Sequence, residues 1–204
     1  MIANTIETEY HQMSDDVMYQ LKDLCLAPYI QKSYRLINKP RKNQSNMFRH
    51  QGATLYVLFD YGYCDSILLK ASIIHDLIED CEDYNENEIL YLDEGYEVLR
   101  LVHEVSRTKD ETKKEFLSRI LVNGSFNAKV LKCADRISNL IDCGFCSDIK
   151  LIQKTIRDTV DYIIPMAEEV NPFMVMELND LVKTRKEILK KLEFIERITY
   201  VNNI

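Results

Sequence analysis

Residues 73–80, Ile-Ile-His-Asp-Leu-Ile-Glu-Asp, place an imidazole and three carboxylates inside an otherwise apolar stretch. At about 100° per residue, one continuous helix would put His75, Asp76, Glu79 and Asp80 on a polar face roughly 140° wide, with the aliphatics at 73, 74, 77 and 78 opposite. Three like charges buried together are costly unless a cation or protons neutralise them, so the cluster implies a bound metal or acid–base chemistry. Two further segments carry compatible groups. His50 lies on a helix-forming stretch that follows the basic loop 38–46, Asn-Lys-Pro-Arg-Lys-Asn-Gln-Ser-Asn, with Lys39, Arg41, Lys42 and Arg49 as a positive patch. Asp135 lies among Cys133, Ala134 and Ile137, so it is expected to be buried and to need a partner, with Arg136 as one candidate and a metal ion as the other. Together His50, His75, Asp76 and Asp135 make a mixed nitrogen and oxygen donor set suited to Mn²⁺ or Fe²⁺, with Mg²⁺ also accommodated and a thiolate-selected metal disfavoured.

The elements that must position these groups read as helices. Five glycines, four prolines and few alternating β-branched runs leave almost no hairpin signals, so the fold class expected is all-α, a single helical bundle over residues 1–204. Helical spacing predicts a first helix from Asp15 or Asp16 to Leu26, and a second from Met47 to Phe59 stopped near Gly62. A third, capped by Asp65 or Ser66, carries the 73–80 motif. An acidic turn at 81–88 leads to a short helix around Glu86 to Leu92, and helices follow over Glu94–Val105 and from Phe126, where Val130, Leu131, Ala134, Ile137 and Leu140 form a core stripe. Two long helices, 148–170 and 172–197, are broken by Asn171-Pro172 and read as scaffold or an oligomer face, leaving a homo-oligomer open. The motif-bearing core spans 38–142.

Composition narrows the partners. A net charge of −7 argues against a general nucleic-acid binder, and no stretch approaches the ~18 apolar residues that a membrane helix needs. The N-terminus lacks a basic region followed by an apolar one, so a cytoplasmic protein is expected. The six cysteines, mostly in apolar segments, read as reduced core thiols; Cys143-Gly-Phe-Cys146 has half a zinc site's spacing without a second half.

The order histidine, histidine-aspartate, distant aspartate resembles the HD-domain metal-dependent phosphohydrolases, and more narrowly the hydrolase domain of the RelA/SpoT family and the small alarmone hydrolases. Arg41 stands nine residues before His50, residues 74–80 match the histidine-aspartate motif with its glutamate-aspartate pair, and residues 130–140 are similar to the alanine-aspartate-arginine segment ending in asparagine. The resemblance implies Mn²⁺ held by His50, His75, Asp76 and Asp135. It implies that Glu79 and Asp80 flank the attacking water and a 3′-pyrophosphate, that Arg41 contacts the base with Lys42 nearby, and that Asn139 hydrogen-bonds the nucleotide. Arg107 is then a weaker phosphate contact. The implied activity is guanosine-3′,5′-bis(diphosphate) 3′-pyrophosphohydrolysis, with another nucleotide substrate or a non-catalytic alarmone-binding or antitoxin module as alternatives. Three departures stand out: the glycine and proline usual around the first histidine are missing, Ser138 replaces a usual histidine, and Asp142 stands where a nucleotide-contacting threonine is common.

Overall fold

The computed structural model describes residues 25–43, 45–81 and 84–202, with side chains to Thr199. The predicted helix from Asp15 or Asp16 lies largely outside the described residues. Those residues form α-helices and short 3₁₀ and π turns, with one isolated bridge between Pro40 and Asn46 and no strand among them. In order come α1 (Leu26–Ser33), α2 (Met47–Asp60), α3 (Ser66–Ile74), α4 (Leu77–Asp80), α5 (Asn87–Leu90) and α6 (Gly95–Val105). They are followed by α7 (Lys113–Asn123), α8 (Phe126–Asp142), α9 (Ile149–Asp158), α10 (Ile164–Val170) and α11 (Pro172–Asn202).

Helix starts follow the side chains that satisfy free backbone N–H groups. Asn46 accepts from Arg49 N at 2.8 Å, Asp65 from Leu68 N at 2.8 Å, and Asp148 from Leu151 N at 2.9 Å, opening α2, α3 and α9. Thr112 and Glu115 form a reciprocal capping box at the start of α7. Gly62, with φ 73°, takes the left-handed turn that follows α2.

Helix α8 is the axis of the bundle, packed against α2, α6, α10 and α11. Its stripe Val130, Leu131, Ala134, Ile137 and Leu140 is fully buried, so truncating Leu131 or Ile137 to alanine should cost about 2–5 kcal/mol. α3 packs on α1, α2 and α6, and its Lys70 is buried against Asp93 at 2.6 Å and Glu94 at 2.7 Å, tying α3 to the turn before α6.

Two expected elements differ. The 73–80 stretch is not one helix: α3 ends at Ile74, Asp76 sits at φ −97°, ψ 0°, and α4 begins at Leu77. The His75 ring is the local cause, because its Nδ1–H donates to Ser72 O at 2.7 Å, a carbonyl the helix would otherwise use itself. The expected 148–170 helix is interrupted by a π turn at Thr159–Ile163. Pro165, in the first turn of α10, lacks the N–H that would continue the ladder, and the wide turn just before it absorbs the missing bond.

Candidate metal centre and active site

Three elements bring the ligand candidates together. His50 comes from the second turn of α2, His75 and Asp76 from the break between α3 and α4, and Asp135 from the middle of α8. Ligand atoms of His50, His75 and Asp76 all lie within 4.8 Å of one another. Asp135 Oδ1 is 3.1 Å from His50 Nε2 and 3.8 Å from His75 Nε2. Asp76 Oδ2 is 3.6 Å and 3.3 Å from the same two nitrogens.

The far side of each ring is already committed. His75 donates through Nδ1 to Ser72 O, so its Nε2 carries the lone pair, and that buried nitrogen has no hydrogen-bond partner. His50 Nδ1 lies 3.0 Å from Ser138 Oγ. Ser138 therefore performs an orienting contact at the position where a histidine was the expected residue. An orphaned, buried imidazole nitrogen aimed at two carboxylates fits a divalent cation, with outer contacts fixing ring orientation.

Electrostatics agree with that fit. Burial works against charge on His75, but Asp76 and then Asp135 outweigh it and push its pKa up. Asp76 is lowered: burial opposes this, and His75 and His50 overcome it. Asp135, also opposed by burial, is held well below the usual carboxylate range by Lys132 first and then the two histidines. A bound cation would supply positive charge where these two carboxylates and two imidazoles converge.

The partner of Asp135 is Lys132, whose Nζ donates to Oδ2 at 2.6 Å, rather than Arg136, which donates to Thr155 O at 3.2 Å. Residues three apart share a helix face, whereas adjacent ones point about 100° apart, so Lys132 was legible by spacing. Gln51, also unanticipated, donates to Asp76 Oδ2 at 3.0 Å.

From this cluster a cleft of about 400 Å³ runs between the 38–46 loop, α4, α7 and α8. The loop is closed by Arg41 N to Ser45 O at 2.9 Å and Met47 N to Lys39 O at 3.0 Å. It lays its cations along the opening. Lys39 Nζ bonds Asp80 Oδ1 at 2.5 Å, and Lys42 at the exposed rim pairs with Asp148. Arg41 is held on three sides: Nη2 donates to Asn139 Oδ1 at 2.5 Å, Nε lies 3.3 Å from Asp142 Oδ2, and Nη1 contacts Met47 Sδ at 3.7 Å. Asn139 Nδ2 in turn donates to Asp135 Oδ1 at 2.5 Å, linking Arg41 to the histidine–aspartate cluster.

Glu79 and Asp80 both line the cleft. Arg107 does not. Its backbone N–H donates to Glu79 Oε1 at 2.7 Å, and its exposed side chain lines a neighbouring groove with Lys109. The backbone thereby holds Glu79, while the guanidinium stands outside the main cleft. Lys113, at the start of α7, supplies a further cleft cation that no motif in the sequence marks. Burial, with Lys132 and Arg136 adding to it, pushes its pKa down to about 8.

Comparison with known proteins bears on this geometry. A solved structure, described as a metazoan ortholog of SpoT that hydrolyzes ppGpp and plays a role in starvation responses, superposes with a TM-score of 0.68 at 21% identity. The match covers 78% of this chain and 94% of that one. The two chains share one fold. In sequence, the chain is 32% identical over 100 residues to the human guanosine-3′,5′-bis(diphosphate) 3′-pyrophosphohydrolase MESH1, and 30% identical to that of Mus musculus. Each match covers 47% of this chain and 54% of the relative, so the chain spans about half the length of the curated relatives it matches. No family model matches. The resemblance to alarmone hydrolases read from residues 38–142 is borne out by these likenesses. Among the described residues, no helix is long and apolar enough to cross a membrane.

Proposed function

We propose that this protein is a metal-dependent phosphohydrolase that removes the 3′-pyrophosphate from guanosine 3′,5′-bis(diphosphate). The observation that carries the reading is the orphaned Nε2 of His75, set with His50, Asp76 and Asp135 at the closed end of a cation-lined cleft. Similarity to pyrophosphohydrolases of that name supports the substrate class.

In this reading His50, His75, Asp76 and Asp135 hold one divalent cation, Mn²⁺ by preference. Bound there, it would acidify a water and offset phosphoryl charge. The chain's own groups do the rest. Lys132 takes one oxygen of Asp135 and leaves the other facing the imidazoles. Glu79, held by the Arg107 N–H, and Asp80, held by Lys39, are the carboxylates placed to accept a proton from water and orient it. Lys39, Lys113 and Lys132 surround the phosphate end with positive charge, and Arg41 with Asn139 hold the nucleoside end, so that leaving group and water are aligned before reaction. The site lies in a protein without a general basic surface, consistent with a small nucleotide rather than a nucleic acid. Among the helices from Ile149 onward, α9 adds Leu151 and Thr155 to the cleft wall, and α10 and α11 serve as scaffold.

The test is direct. Chelator-treated protein is reloaded with Mn²⁺, Fe²⁺ or Mg²⁺ and given guanosine 3′,5′-bis(diphosphate), and GDP and pyrophosphate are quantified. Release of both with Mn²⁺, lost in Asp76→Ala, is expected; undiminished turnover by metal-free Asp76→Ala refutes the mechanism.

A further inference from the structure

Gln51 is 1% exposed on α2, next to His50, where a glutamine is an uncommon occupant. Its carbonyl oxygen Oε1 is buried without a hydrogen-bond partner, a cost that an apolar side chain of the same length would not carry. The other half of the amide is engaged, because Nε2 donates to Asp76 Oδ2 at 3.0 Å. Packing alone gives no reason for an amide here, and its hydrogen bond leads to the carboxylate cluster.

Asp76 depends on that donor more than Asp135 would. Asp135 is held by Lys132, Asn139 and His50. Asp76 precedes α4 yet makes no capping bond, because at φ −97°, ψ 0° its backbone lacks the extended conformation with which a capping residue turns its side chain onto the next turn. Its Oδ2 faces His50 Nε2 at 3.6 Å and His75 Nε2 at 3.3 Å, both beyond ordinary hydrogen-bond length. The carboxylate is therefore aimed from α2, across 25 residues of sequence.

We propose that Gln51 is a positioning residue that fixes the direction of the Asp76 carboxylate for metal binding, so that α2 supplies one ligand, His50, and orients another. The inference rests on the metal-centre reading above and deepens it. Gln51 does not line the cleft, so it acts through Asp76 and not on the substrate. Hydrogen bonds of this kind to a ligand are typically worth about 10- to 100-fold in metal affinity.

The experiment titrates Mn²⁺ into chelator-treated wild type, Gln51→Met and Thr54→Val, reading free Mn²⁺ from its paramagnetic resonance signal, with thermal melting of the metal-free proteins as the check on folding. Methionine keeps the length of the side chain and removes the amide. Thr54 is buried on the same helix and donates to His50 O at 3.1 Å, so its variant perturbs α2 without touching Asp76. Expected are a Kd raised about 10- to 100-fold in Gln51→Met and an unchanged Kd in Thr54→Val. An equal loss of affinity in both variants overturns the assignment, because Gln51 would then only support α2. If wild type binds Mn²⁺ and Gln51→Met binds it equally well, the metal-centre reading stands and this proposal alone fails. If wild type binds no Mn²⁺, both fail.

Discussion

Replacing Asp135 separates what the carboxylate does for the fold from what it does for the metal. In the metal-free protein its side chain, 8% exposed, receives Lys132 Nζ at 2.6 Å, Asn139 Nδ2 at 2.5 Å and His50 Nε2 at 3.1 Å. Asp135→Ala leaves the equally buried Lys132 ammonium without its counter-charge, near Lys113 and Arg136. Removing one partner of a buried pair costs about 3–5 kcal/mol. For a chain of this length, each kcal/mol moves Tm by about 2–4 °C, so a fall of about 6–20 °C is expected. Asp135→Asn keeps an acceptor for Lys132 and should lose roughly half as much. Both variants should lose the Mn²⁺ response, which in wild type reaches about 2.7 kcal/mol at a hundredfold excess over Kd. Thermal and urea unfolding of chelator-treated protein, repeated across a Mn²⁺ titration, reads both quantities. If Asp135→Ala unfolds within about 1 kcal/mol of wild type, the buried-pair argument is wrong. If it keeps the full Mn²⁺ stabilisation, the assignment of Asp135 as a ligand is wrong.

Two further predictions follow from titrating groups. Glu111, held by Arg119 Nε at 2.6 Å and accepting from Thr108 N at 3.1 Å, has its pKa lowered to about 2, chiefly by Arg119. A depressed acid stabilises the fold above its ordinary value near 4.5 and loses that contribution as pH falls toward 2. Glu111→Gln should therefore remove about 1 kcal/mol of stability at pH 7, after solvent screening, and flatten the acid limb of a stability–pH curve; parallel curves would contradict it. Lys113, pushed down to about 8, is charged at pH 7 and neutral by pH 9. Nucleotide affinity of wild type should fall about tenfold across that range, and Lys113→Arg, which stays charged, should remove the fall; equal pH slopes in calorimetric titrations would rule out Lys113 as a phosphate-facing cation.

Much of this molecule follows from one-dimensional pattern. The helical class, the Asp65 cap, the stop near Gly62 and the α8 core stripe are local events, set by spacing and by side chains within a turn of the backbone they satisfy. That His50, His75, Asp76 and Asp135 would converge was legible for a related reason: buried imidazole and carboxylate among aliphatics demand a common partner, wherever the chain brings them. The break at His75–Asp76 was hidden, because a ring bonding to a carbonyl three residues back is a choice of rotamer that periodicity does not encode. Tertiary structure alone decided the long-range pairings. It gave Glu79 the Arg107 N–H while leaving that guanidinium outside the cleft, brought Lys113 into the cleft from the start of α7, and set Arg41 across 98 residues of sequence onto Asn139. Charged side chains on loops are long and their partners depend on which elements pack together, so composition and spacing name the charges, and only the packed helices assign each one a partner.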